Sequence, residues 1–427
     1  MPGALHQPRL SAEEIAARLA DYKRQNVPTY GPKMFRPSYF AGQDVVDVAE
    51  HAFALFLKEN WLYGRTSYPA VGVFEDEILA SLLDLYHAPR GAAGSLTSGG
   101  TESDIMAVRS ARARAERLGR LKSGANIVIP QTAHPAFDKG GELLGIEVRR
   151  EPSRGHHLPD LEWIADACDD STIMLAASAP PYPFGECDPV EEMAAIARKH
   201  ECWFHVDSCL GGMILPFREA AELKPVAFDF RVAGVDSVSV DLHKCGYASK
   251  GISAIVYADR TDEQAARTVF ENWPSGLYAT SGIAGTRSAG ALASAWAVMR
   301  YLGAEGYRER TKAIFGYRDK IISALRGIGA EIVGDPHCFH FNFLFHEVDM
   351  SVLVEELVRE GWVISSSKQP DTIQLMVTAA HEHSAAPLAE AVEQVLRDVR
   401  AGKRAGTGQG AVYSKVETRD TVGAIRA

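Results

Sequence analysis

Ser237-Val238-Ser239-Val240-Asp241-Leu242-His243-Lys244 runs straight into Cys245-Gly246-Tyr247-Ala248-Ser249-Lys250-Gly251. The first part alternates in the manner of a β-strand and delivers a His-Lys pair into a glycine-flanked turn. Such a turn holds one amine rigidly beside a carbonyl-bearing cofactor, so Lys244 is the candidate for its covalent attachment. An isolated His-Lys pair at a strand end is more often an ordinary solvated charge. The rest of the chain decides between the two.

Outward from this stretch, residues 70–260 alternate helical patterns with short apolar runs. FEDEILASLLDLYHA (74–88) and ESDIMAVRSARARAERL (102–118) have helical period, whereas NIVIP (126–130), TIMLAAS (172–178), CWFHVD (202–207) and SVSVD (237–241) look like buried strands. The alternation predicts an α/β fold with a largely parallel sheet, in which ligands gather beyond the carboxyl ends of the strands. Asp207 and the approach to Lys244 fall there. After residue 300 the texture changes to long helix, short strands and helix, which predicts a smaller α+β domain. The expected division is an N-terminal helical segment (1–69), a large domain (70–300), a small domain (301–400) and a Gly- and charge-rich surface extension (401–427).

Three further pieces stand at strand ends. Thr97-Ser98-Gly99-Gly100-Thr101-Glu102-Ser103 precedes a strong helical pattern. Its glycines let backbone N–H groups approach an anion, Thr101 can cap the helix, and the helix start carries positive partial charge, so it is a candidate phosphate cradle. By itself a Gly-Gly turn is usually only a turn. Asp207 closes an apolar run, where a carboxylate needs a cationic partner such as a protonated pyridine nitrogen; capping the following turn is the plainer alternative. His134 follows NIVIPQTA and is placed to stack on a flat ring, although a lone His there is commonly structural. Phosphate cradle, stacking imidazole, carboxylate and lysine together match the needs of pyridoxal phosphate.

Composition narrows the partners. The chain has 427 residues, 46% hydrophobic and 23% charged, with a formal net charge of −10 and no block of like charge, which argues against nucleic acid. No apolar run approaches the 18 or so residues of a spanning helix, and the N-terminus lacks the order of a signal peptide, so a cytoplasmic protein with reduced thiols is expected. The six cysteines show neither a disulfide framework nor metal spacing, and no metal site is indicated.

TSGGTES (97–103), TAHPAFDK (132–139), SAPPYPFGECDPV (178–190), HVDSCLGG (205–212), FDFRVAGVDSVSVDLHKCGYASKG (228–251), WPSGLYATSGIAGTR (273–287) and GAVY (410–413) occur in this order. In them the chain resembles the sphingosine-1-phosphate lyases of the pyridoxal-phosphate-dependent group II decarboxylase family. The resemblance implies the fold type I of the pyridoxal-phosphate transferases, aspartate-aminotransferase-like, with a mostly parallel seven-stranded large domain. It makes Lys244 the covalent anchor, Asp207 the partner of the pyridine nitrogen, His134 the stacking residue, and Gly100 and Thr101 the phosphate site with His243 nearby. It places Tyr182 and Lys250 near the carbon being cleaved, as candidates for proton transfer. It also implies a homodimer with shared active sites, residues 282–287 reaching the neighbour, and a soluble form without a membrane anchor.

The implied reaction is retro-aldol cleavage of a phosphorylated long-chain base to a fatty aldehyde and phosphoethanolamine. Residues 61–69, Trp-Leu-Tyr-Gly-Arg-Thr-Ser-Tyr-Pro, depart from the family pattern in a region that recognises the polar head, and Arg65 is the anion-binding group they offer. One rival is an amino-acid decarboxylase of glutamate or aromatic type on the same scaffold. Such enzymes commonly clamp the substrate carboxylate with a small-domain arginine, and Thr372-Ile373-Gln374-Leu375-Met376-Val377-Thr378 carries none. The other rival is a non-catalytic scaffold, which the intact set of cofactor positions disfavours.

Overall fold

The computed structural model describes Leu5 and residues 8–404. Most of the expected C-terminal extension, including GAVY at 410–413, lies outside the described residues.

Seven strands form the central sheet: β1 (Ala93–Thr97), β2 (Asn126–Ile129), β3 (Glu147–Arg150), β4 (Thr172–Ser178), β5 (Trp203–Asp207), β6 (Ser237–Val240) and β7 (Ser253–Tyr257). Their order is β1-β7-β6-β5-β4-β2-β3, and β7 alone runs against its neighbours. The expected mostly parallel α/β sheet is therefore present. Both faces are dry, as a crossover-connected parallel sheet requires. Val128, Leu175, Phe204 and Val238 enter the core on one side, and Ile127, Met174 and Trp203 enter a second core on the other, so each strand's two-residue period is divided between two helical layers.

The helix Gly100–Arg117 packs on the second face, burying Ser103, Asp104, Met106, Ala107 and Ala111. Polar residues of β5 and β6 point under it. His205, Ser237 and Ser239 are each fully buried there. A hairpin of β8 (Thr268–Phe270) and β9 (Tyr278–Thr280) follows the sheet.

The long helix Gly290–Gly327 runs through position 300 and breaks at Gly303, whose φ of 54° and ψ of −175° lie outside the helical region. Before the break Leu292 and Val298 join the large core; near the end Ile321 and Leu325 join another. That smaller core lies between helices Met350–Arg359 and Ala385–Arg400 and an antiparallel sheet of β10 (Glu331–Ile332), β11 (His340–Leu344), β12 (Ser365–Ser367) and β13 (Thr372–Met376). Residues 33–40 run along this sheet. Phe35 N–H donates to Val363 O at 2.8 Å, Met376 N–H donates to Phe35 O at 3.0 Å, and the Phe35 ring is fully buried in the small core.

Candidate cofactor and active site

Because β1, β2, β4, β5 and β6 point the same way, the segments leaving them meet at one edge of the sheet. The start of β7, which runs the other way, brings Lys250 to the same edge. Gly100, Thr101, His134, Tyr182, Asp207, His243, Lys244 and Lys250 all line one cavity of about 470 Å³. Six chain segments, from Pro37 to Lys250, contribute to it.

Lys244 is held by a carboxylate that sequence reasoning passed over. Its Nζ lies 2.8 Å from Asp241 Oδ2, and Asp241 also accepts from Ser253 Oγ at 2.5 Å. Burial works against a charge on Lys244, but Asp241, Tyr39 and Cys209 together outweigh it and keep the ammonium well above the ordinary lysine range. Burial likewise opposes ionisation of Asp241, yet Lys244 and then His243 hold its carboxyl below the usual value. An acid three residues before a lysine, at a strand end, was the legible signal for this pair.

Asp207 ends β5. One oxygen accepts the Cys209 N–H at 3.0 Å, so it does cap the following turn, and the carboxylate also faces the cavity. The turn-capping alternative is realised, and the position at the cavity wall leaves the carboxylate open to a cationic ligand. His134 lines the wall, its Nδ1 accepting the Ala136 N–H at 3.1 Å and its imidazole kept neutral mainly by burial, which lowers its pKa.

Thr101 is not the helix cap. The helix starts at Gly100 with Gly99 in the cap position and no side-chain cap bond, because Glu102 takes over the loop instead. Glu102 accepts from Ser98 N–H at 2.7 Å and Ser98 Oγ at 2.5 Å, and its other oxygen accepts from Ile283 N–H at 2.6 Å. The segment 282–287 is thereby tied to the cradle of its own chain.

Lys250 donates from Nζ to His243 O at 3.2 Å and lies 4.7 Å from the Tyr39 ring centre. Burial, then the charge of Lys244, lowers its pKa from the ordinary lysine value. Tyr39, carried in by the N-terminal strip along the small sheet, had no local signal in the sequence. Tyr182 is placed by the four-stranded sheet: Gln374 Nε2 donates to Tyr182 O, and His340 Nε2 lies 2.9 Å from Phe184 O. Gln374 stands on the strand where a carboxylate-clamping arginine was sought, and its amide is committed to this loop. Arg65 lies elsewhere, paired with Asp76 at 2.6 Å and Glu75 at 3.2 Å in a separate cavity.

The residues fit pyridoxal phosphate. A Cβ built on Gly100 would come within 2.8 Å of both Asp241 Oδ1 and Cys209 Sγ, so only glycine leaves the helix start open to an anion there. Gly99 would meet only His243, at 3.9 Å. The donor set comprises a half-buried lysine, an uncapped helix N-terminus, an imidazole and a buried carboxylate, which match the aldehyde, phosphate, ring face and ring nitrogen of that cofactor.

Comparison with known proteins agrees. Residues 7–341 match the family model of the pyridoxal-dependent decarboxylase conserved domain. Sphingosine-1-phosphate lyase 1 of Rattus norvegicus is 32% identical over 418 residues, 96% of this chain and 72% of that protein. The sphingosine-1-phosphate lyase of Dictyostelium discoideum is 35% identical over 80% of this chain, which spans only 64% of that protein's length. Among solved structures, a sphingosine-1-phosphate lyase of Burkholderia pseudomallei superposes with a TM-score of 0.88 at 31% identity, covering 94% of both chains.

Proposed function

The chain belongs to the pyridoxal-dependent decarboxylase family and is a pyridoxal-phosphate-dependent enzyme, and on that premise we propose that it is a carbon–carbon lyase acting on a phosphorylated long-chain base. The products are a fatty aldehyde and phosphoethanolamine. The observation that carries this reading is Gln374: the small-domain strand offers an amide already bound to Tyr182 O, and among the described residues lining the cavity the strong cations are Lys244 and Lys250, with no arginine. A substrate with a free α-carboxylate has no bidentate clamp there.

When bound, pyridoxal phosphate supplies an electron sink for the pair released as the C2–C3 bond of the substrate breaks. Gly100, Thr101 and His243 would hold its phosphate, His134 would face its ring, Asp207 would serve the ring nitrogen, and Lys244 would anchor it. Lys250 takes the proton of the substrate 3-hydroxyl. Its depressed pKa supports that role, because a neutral amine becomes available nearer to working pH. Tyr182 forms the facing wall and orients the hydroxyl. His243 O and the Tyr39 ring fix Lys250 on one side of the cavity, which keeps the base from wandering into water.

The enzyme works as a cytoplasmic homodimer that shares its sites. Exposed Phe270, Trp273, Leu277 and Ile283, grouped on and beside the β8–β9 hairpin next to the cradle, support burial of this edge by a second copy. No helix among the described residues is long and apolar enough to cross a membrane.

The test is to load the purified protein with pyridoxal phosphate and offer it dihydrosphingosine 1-phosphate and, separately, a panel of amino acids. Aldehyde release from the phosphorylated base is expected. Carbon dioxide from an amino acid without any aldehyde sinks the lyase reading in favour of a decarboxylase.

A further inference from the structure

Behind Asp207 lies a second acid that nothing above uses. Asp104 is 1% exposed, one turn into the helix that begins at the phosphate cradle. Ligand atoms of Asp104, Asp207 and Cys209 all lie within 4.8 Å of one another. Ser239 Oγ is the hinge of the group: it is 3.2 Å from Asp104 Oδ1, 3.4 Å from Asp207 Oδ1, and 3.4 Å from Cys209 Sγ.

A hydroxyl has one proton. Ser239 therefore satisfies only one of the two carboxyl oxygens as a donor, and two ionised carboxylates side by side in a dry core would leave the other facing a lone pair. The conflict disappears if one acid keeps its proton, giving a relay in which Asp104 O–H donates to Ser239 Oγ and Ser239 O–H donates to Asp207. Both acids border the cavity, and the one that keeps the proton is the more deeply buried, Asp104 at 1% exposed against 7% for Asp207. Asp207 opens toward the cofactor position; Asp104 is flanked by Asp207, Asp241 and, from β5, His205. Burial first, then Asp207 and Asp241, push the Asp104 carboxyl well above the carboxylate range, with Lys244 and Ser239 opposing them.

His205 completes the arrangement. Burial lowers its pKa to about 4, so it is neutral and gives Asp104 no counter-charge. Its Nδ1 lies 2.8 Å from Ser237 Oγ, which also accepts the Trp203 indole N–H at 2.9 Å. The Ser237 proton is thus free for Nδ1, leaving Nε2 as the N–H tautomer. That Nε2 is fully buried, has no hydrogen-bond partner, and is aimed at Asp104 Oδ1 from 3.7 Å.

We propose that Asp104 is a positioning residue for Asp207: a carboxylic acid in its neutral form that donates through Ser239, leaving Asp207 the charged member and turned toward the ring nitrogen of the cofactor. This rests on placing pyridoxal phosphate between His134 and Asp207, and not on the identity of the substrate.

The test uses cofactor-free protein titrated with pyridoxal phosphate, reading the dissociation constant and the pH midpoint of the visible band, with no substrate present. A failure here therefore leaves the lyase reaction untouched. Asp104→Asn, a neutral donor of the same shape, is expected to stay within about threefold of wild type in affinity and to keep the midpoint. Asp104→Leu is expected to weaken binding about 10- to 100-fold and move the midpoint, while the cofactor-free protein melts no earlier than wild type. Should the leucine variant not fold, Ser239→Ala breaks the same relay with Asp104 in place and is expected to show the same losses. Asn failing as badly as Leu would mean that a charge is needed at 104 and would overturn the proposal. Wild-type affinity and midpoint in Asp104→Leu or Ser239→Ala would overturn it equally.

Discussion

Two cavities of about 470 Å³ each occur in this protein, and they treat charge in opposite ways. In the one that holds Arg65, cations outnumber acids and two of the four lining arginines are ion-paired: Arg65 sits on Asp76 and Glu75, and Arg267 Nε is 2.8 Å from Glu263 Oε1. Arg287 lies 3.8 Å from the Trp61 ring centre and donates to Ala284 O at 2.9 Å. In the other, Asp104, Asp207 and Asp241 converge on Lys244 and only Asp241 pairs with it directly. Matched ion pairs complete themselves without a ligand. Buried charges that do not match are tolerated where a bound group completes them, and they also perturb proton affinities in the way catalysis needs.

The largest effect expected from this contrast is at Lys244. Lys244→Ala is expected to remove the visible band of the bound cofactor and lower aldehyde release about 10³- to 10⁴-fold, the upper range for a positioned acid–base group. A persisting covalent band in that variant would break the comparison outright. Next comes Lys250→Met, expected to lower kcat about 100-fold. Its pKa is depressed by burial and by Lys244, and the proposed role as base makes the neutral amine the active form. Wild-type kcat should therefore rise as pH climbs through that lowered pKa, and the limb should vanish in the Met variant. If the limb survives, the base is Tyr182.

The smallest effect is expected at the paired Arg65 of the first cavity. Arg65 is well exposed beside its acids, so Arg65→Ala should change stability in urea by less than about 1 kcal/mol and leave KM within about twofold. A tenfold rise in KM for the phosphorylated base, without a matching rise for an unphosphorylated analogue, would instead make this cavity part of substrate recognition and would explain why residues 61–69 depart from the family pattern.

Much of the site could be read directly from the chain because each piece sits at a strand end within a few residues of its own signal. Lys244 follows an alternating run, Asp207 closes an apolar one, and Gly99-Gly100 precedes a helical period. What escaped has no such neighbour. Thr101 looked like a cap because the helix boundary was read two residues late, and Glu102, bonded to Ser98 and to Ile283 far along the chain, displaced it. Tyr39 reaches Lys250 only because residues 33–40 follow the small sheet. Gln374 was noticed for what it is not; its actual bond, to Tyr182 O, joins the four-stranded sheet to the loop that follows β4.

Periodicity and local turn chemistry depend on residues a few positions apart, and these alone determined the alternating sheet, the cofactor class and the residues at the sheet edge. The tertiary structure decided which charges meet. Asp104 and Ser239 lie 135 residues apart, and a helix side chain and a strand side chain come within 3.2 Å only when the helix packs on the dry face of the sheet. Proton affinities follow from that packing, since burial and the sum of nearby charges set them and neither is a property of neighbouring residues in the chain.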